Sequence, residues 1–352
     1  MKIVRFIIPA VILSIGFFSL NSAHSLAQSQ YYHQDNSDAK ASAEENRENT
    51  PTLPPPLAKA ASDKKTRQES ITAISQIPLT PQNSAQAYSV LNNISVFRRL
   101  PVFRIPADGE FVKYLANNPD IVVNIWEKIG ISQISVLEQG KGLYRVSDIA
   151  GTSGTMKNLW SGENGVLYYM EGGYRGNLLA RHVRGKALIL VRFNVQRDAS
   201  GLEYTTCFVD TFLSLDQDFY DAATKLLFPM LGRVADNNLE QSLFFVYWYS
   251  DRCKRSPYNM ASFALELKNA RLETRQGLAR QTFSTAKRNG YDLPELNFAQ
   301  ADSSVASVWS TPEPVQPQLQ PQPAIPVRVA YPPVDSAYAK PTKNDYSQGI
   351  EY

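Results

Sequence analysis

The side chains best placed to do chemistry are His182, Asp210, Asp148, Glu171, Cys207 and Cys253. His182 is the only histidine beyond residue 33, since His24 and His33 lie near the N-terminus. A lone histidine can act as a general base. It cannot assemble a zinc site, which draws three or four ligands from His, Cys and carboxylates. Between Arg181 and Arg184 it also reads as an ordinary strand histidine. Asp210 sits on an aromatic strand face. Burial there would raise its pKa and suit it to acid or base work, whereas hydrogen bonding or solvent contact would leave it structural. Asp148 and Glu171, near strand ends, carry the same two readings. Cys207 and Cys253 can bridge in an oxidising compartment, or stand as one buried and one free thiol, because a disulfide demands close Cα atoms. Gly151-Thr-Ser-Gly154 and Glu171-Gly-Gly-Tyr-Arg-Gly176 lack the strand–loop–helix setting of a phosphate loop and read as hairpin turns. No motif specifies a reaction, and nothing calls for a cofactor.

The ends of the chain say where these groups work. Lys2 and Arg5 precede an apolar run from Phe6 to Leu20, and Ser25-Leu26-Ala27 supplies a small-x-small cleavage pattern. Residues 1–27 therefore read as a signal peptide, too short in apolar length for a span of about 20 residues. Export to the periplasm or the extracellular space follows. Residues 28–94 are rich in Ser, Ala, Asn, Gln and Pro, and are expected to be a disordered spacer. Residues 294–352 form a Pro/Gln-rich tail of polyproline type, a tether or a docking ligand for a protein partner. The net charge of +3 is carried by scattered Lys and Arg, which predicts no nucleic-acid partner.

Residues 95–254 read as one α+β domain. Val96–Ile105 is a first strand that Pro101 demotes toward an edge. Asp108 caps a short helix, and Pro119 opens a second that ends at Gly130. Tight turns then link strands at 132–138, 142–148, 155–161, 166–171, 177–184, 186–195 and 202–213, so the pairing is antiparallel. Tyr204, Phe208 and Phe212 alternate with Thr205, Cys207, Val209 and Thr211. Neither face is plainly polar, so apolar matter should cover both sides over part of the sheet. A long helix follows from about Asp216, kinked at Pro229 and Gly232. A second runs from about Asn238 to Tyr249, where Phe244–Tyr249 is expected to pack beneath a final helix over 258–287 within a helical extension, 255–293.

This order of strand, two short helices, meander and long helix resembles the START-like superfamily, the helix-grip group of lipid-transfer domains and polyketide cyclases. The resemblance covers about Val96 to Tyr249 and rests on element order, so no functional residue is carried over. It implies a curved sheet gripping the long helix, with an apolar ligand between them. The segments Asn118–Trp126 and Glu171–Gly176 are also similar to uncharacterised exported bacterial proteins, which implies no activity. The expected function is non-catalytic binding of a hydrophobic small molecule or lipid, with Trp126, Tyr144, Trp160, Tyr168, Phe208, Asp210 and Phe212 as candidate cavity residues. The alternatives are an envelope scaffold using the Pro-rich tail, or a cyclase- or hydrolase-like enzyme using Asp210 or His182. A filled α+β domain with no hollow is the rival architecture.

Overall fold

The computed structural model describes residues 53–130, 132–149, 151–175, 183–199, 201–216 and 220–293. The expected signal peptide, the expected tail and His182 lie outside the described residues. Eight antiparallel strands form one sheet: β1 (Val96–Arg99), β2 (Phe103–Ile105), β3 (Ile134–Gly140), β4 (Leu143–Asp148), β5 (Thr152–Gly162), β6 (Gly165–Tyr174), β7 (Val183–Arg197) and β8 (Glu203–Leu215). Their order is β1-β8-β7-β6-β5-β4-β3, with β2 also paired to β8. The chain's first strand thus closes onto its last, and the meander fills the rest.

Among the described residues the helices are α1 (Lys64–Ser75), α2 (Pro81–Leu91), α3 (Gly109–Asn117), α4 (Pro119–Lys128), α5 (Tyr220–Arg255), α6 (Pro257–Leu265) and α7 (Leu272–Arg288). The Asp108 carboxylate accepts from the Phe111 amide at 2.9 Å and starts α3, as its type and position predict. Pro119 opens α4 and Gly130, at φ 74°, follows its end. The architecture is α+β with a large antiparallel sheet and a long C-terminal helix, a helix-grip-like arrangement.

Several expectations need correction. The stretch 28–94 is not a disordered spacer throughout. Asp63 caps α1 by accepting from the Thr66 amide at 2.9 Å, and Thr80 caps α2 ahead of Pro81. Upstream of both, the backbone at Leu57–Ala61 pairs with Arg99 and Val102, with amide-to-carbonyl distances of 2.7–3.0 Å, and so covers the β1–β2 edge. The span 220–255 is one helix, where two were expected. The final helix is instead two, α6 and α7, separated at 266–271. Strand β7 runs through Gly185, where a turn was expected.

The two Gly-rich segments, expected as turns, lie largely within strands: Thr152–Gly154 is in β5 and Glu171–Tyr174 in β6, with Gly151, at φ 106°, in the bend just ahead of β5. Gly154 of β5 sits opposite Gly172 of β6, and Gly172 sits opposite Gly185 of β7. A Cβ on Gly154 would lie 2.5 Å from the Glu171 carbonyl oxygen, and one on Gly172 would lie 2.5 Å from the Ser153 carbonyl oxygen. Glycines aligned across three strands let the backbones close to distances that side chains forbid, which is how a sheet bends sharply.

Both faces of the sheet are apolar and both are covered, as the alternation implies. On one face Tyr144, Met156, Tyr168, Ile189 and Val209 pack with α3, α4 and the C-terminal half of α5. Phe111 stacks on Tyr249 with ring centroids 5.4 Å apart, and Trp126 meets Phe245 edge-on at 5.9 Å. The aromatic run of α5 therefore faces α3 and α4 as well as the last helices. On the other face Leu167, Leu188, Leu190 and Phe212 pack with Phe97 and with Ile74, Ala87 and Val90 of α1 and α2. The supposed spacer supplies this second cover.

Candidate functional site

Between the sheet and helices α3–α5 lies a cavity of about 220 Å³. The sheet contributes Val136, Val146, Met156, Ile189, Cys207 and Val209 to its wall. Val112, Leu115, Val122 and Trp126 come from α3 and α4, and Leu239, Leu243 and Val246 from α5. These side chains fall here for periodic reasons. Cys207, Val209, Thr211 and Leu213 are alternate residues of β8, and Leu239, Leu243 and Val246 recur at the 3–4 spacing of a helix.

The polar groups of the wall are mostly committed elsewhere. The Tyr168 hydroxyl donates to the Ala116 carbonyl at 2.9 Å, and burial holds its pKa well above the usual phenol range. Thr211 donates to the Arg98 carbonyl at 2.9 Å and Ser242 to the Asn238 carbonyl at 2.8 Å. Burial pushes the Cys207 thiol up to about 12, so it stays neutral. Arg98 is the one charged side chain among the described lining residues. Its guanidinium grips Asp236 of α5 with both Nε and Nη2, the former at 2.9 Å from Oδ1.

The seven candidate residues divide between the two faces. Trp126 and Tyr168 line the cavity. Tyr144 belongs to the same core but does not reach the hollow; its hydroxyl points toward the Asn117 carbonyl at 3.5 Å. Trp160, Phe208, Asp210 and Phe212 are corrected to the other side. Phe212 and Trp160 pack with α1 and α2, and Phe208 lies under the Arg192 guanidinium at 5.7 Å. The alternation correctly grouped Phe208, Asp210 and Phe212. That group lies on the side of α1 and α2, and Cys207 and Val209 on the opposite face look toward α5.

Asp210 is fully buried and held by two cations. Arg99 Nε is 2.7 Å from Oδ1, and Arg192 Nη2 is 2.8 Å from Oδ2. Arg99 also donates to Ser70 of α1 at 2.9 Å. A carboxylate clamped this way is an anchor between α1 and the sheet, without the free oxygen a proton-transfer group needs. Asp148 accepts from the Thr152 amide at 2.8 Å across a turn, and Glu171 accepts from the Tyr169 hydroxyl at 2.7 Å. Cys207 and Cys253 are both buried free thiols, so of the two readings the bridge is not formed and neither thiol is exposed. Cys253 lies at the end of α5, 3.7 Å from the Thr282 hydroxyl of α7.

Three features had no sequence signal. The Arg98–Asp236 pair joins residues 138 positions apart. Asp120, in the first turn of α4, is buried, and desolvation with Glu138 nearby raises its pKa to about 6. A second hollow of about 210 Å³ is polar, but its carboxylates are already engaged: Asp108 by Arg288, and Glu203 by the Gly109 amide and Arg197. Among the described residues no group of three metal-ligating side chains occurs, and no helix is long and apolar enough to cross a membrane.

No family model matches the chain, and no curated protein matches its sequence significantly. Solved structures that resemble part of it include Ara h 8.0201, at 14% identity and a TM-score of 0.24, covering 41% of this chain and 98% of the other. A conserved protein from Geobacillus kaustophilus aligns at 12% identity and a TM-score of 0.24, covering 40% and 93%.

Proposed function

We propose that this chain is an exported, non-catalytic domain that binds a hydrophobic small molecule or lipid in the hollow between its sheet and α5. One observation carries the reading: the interior is not filled. A cavity of about 220 Å³ is walled mainly by aliphatic and aromatic side chains. Natural interiors hold few voids much larger than a water molecule, and an apolar void of about 150 Å³ accepts benzene. Leaving such a space empty costs stability that filling would recover. In this reading α5 bends at Pro229 and Gly232 over the hollow.

The test uses N-phenyl-1-naphthylamine, a neutral probe that brightens in apolar sites, with native mass spectrometry of the mature protein. The wild type should enhance the probe saturably. Val209→Phe, which places a larger side chain in the cavity wall, should abolish the enhancement while keeping a cooperative unfolding transition. Equal fluorescence from both proteins would refute binding in this cavity.

A further inference from the structure

We infer that the ligand is an anionic amphiphile of about eight to ten carbon atoms, whose acid group takes the Arg98 guanidinium from Asp236. This rests on the cavity-binding reading and adds the chemistry of the ligand's head.

Size sets the first limit. A cavity of about 220 Å³ is roughly half as large again as one that accepts benzene, which suits a medium acyl chain or a bicyclic ring and excludes a membrane phospholipid's two chains. Polarity sets the second. The Tyr168, Thr211 and Ser242 hydroxyls donate to backbone carbonyls, so none points an unused donor at a ligand. A neutral polar head would lose its water and gain little from these walls. Arg98 is different. Its planar fork matches a carboxylate or phosphate bidentately.

Position sets the third. Arg98 lies on β1 and shares the cavity lining with the exposed Ser62, and its side chain is about one-quarter exposed. It therefore stands where the lining meets solvent, with the apolar wall behind it. The guanidinium lies against Gly232, where a Cβ would come within 3.1 Å of both Cζ and Nη1. Asp236 is one helical turn further along α5. The absence of a side chain at 232 lets the cation lie flat across that turn, bridging β1 and α5. Asp236 is itself about one-quarter exposed, so it can return to water when displaced. Exchange of one carboxylate for another at the same fork costs little charge separation. A ligand acid thus unlatches the β1–α5 contact as it docks.

The experiment is competition against N-phenyl-1-naphthylamine by decanoate, decyl phosphate and decanol, at constant ionic strength. Decanoate or decyl phosphate should displace the probe at about tenfold lower concentration than decanol, the effect expected of a charged hydrogen bond. The better of the two acids identifies the head group. Asp236→Asn should tighten acid binding several-fold. Arg98→Gln should bring the acids and decanol to the same competing concentration, and Arg98→Lys, which keeps the charge, should recover part of the preference. Probe binding with acids and decanol competing equally, or a preference that survives in Arg98→Gln, overturns the inference and leaves the cavity reading intact. Failure of the probe to bind the wild type overturns both.

Discussion

Arg99 grips the fully buried Asp210 through Nε at 2.7 Å, from a strand that pairs Arg99 directly opposite Asp210. The same guanidinium reaches Ser70 and Glu69 of α1. Burial alone would lower the arginine's pKa, but Asp210 and Glu69 outweigh it and keep the guanidinium firmly charged. Asp210→Asn would leave Arg99 and Arg192 facing a neutral amide. Breaking a buried pair typically costs about 3–5 kcal/mol; since Arg192 retains some solvent, the lower end is expected. Urea unfolding would measure this loss. Probe binding in the folded variant should match the wild type, because Asp210 faces away from the cavity. A stable variant with lost ligand binding would contradict that placement.

The second apolar face depends on α1 and α2. Ile74 is the buried aliphatic side chain of α1 and belongs to the cluster with Leu188 and Phe212. Ile74→Ala should cost about 2–4 kcal/mol, as for other fully buried aliphatic truncations. Exposure of that face should also raise binding of an apolar dye to the sheet side. Unchanged urea stability would mean that α1 is a loose appendage.

Which parts of this were legible follows from the range of each signal. Most strands and the α3 and α4 boundaries are visible because alternation, caps and Pro or Gly stops act within a few residues, but Val96–Ile105 is two strands where one is expected and β7 runs unbroken through Gly185. Helices α1 and α2 are not visible in this way. Their apolar stripe is only Ile71, Ile74, Ala87, Val90 and a few neighbours in a polar stretch, enough to cover a sheet but not to announce a helix without one. Phe208 and Phe212 were assigned to the cavity because alternation shows which residues share a face, without saying which face meets α5. Aligned glycines and the Arg98–Asp236 contact depend on pairing across the fold, which no local pattern records.

The glycine row makes a sharper demand than composition suggests. Gly172 is flanked by Gly154 and Gly185, and a Cβ there would also lie 2.8 Å from the Gly154 Cα. The obstructing atoms are backbone, so no side chain can swing aside. Gly172→Ala should therefore destabilise the protein by about 1–3 kcal/mol, the range for overpacked sites. Hydrogen exchange should show the loss concentrated in β5 and β6. A neutral effect on stability would mean that the sheet can flatten locally at no cost.

Asp120 should give the protein an unusual pH dependence. It is buried in the first turn of α4, and desolvation, reinforced by Glu138 and opposed by Arg271, raises its pKa from 3.8 to about 6. The phenols of Tyr114 and Tyr144 lie in the same electrostatic neighbourhood and are themselves pushed up by burial, so they remain neutral. Because the folded pKa lies above the unfolded one, the fold favours the protonated acid. That contribution is complete below about pH 4 and disappears as pH rises through 6. Two pKa units correspond to roughly 3 kcal/mol. Asp120→Asn should remove this window, raising stability at pH 7 by up to that amount and leaving pH 4 nearly unchanged. The helix N-terminus, which favours a carboxylate by about 0.3–1 kcal/mol, trims the gain. Urea midpoints for both proteins between pH 4 and pH 7 decide it. Parallel curves would show that Asp120 is ionised in the fold at no cost.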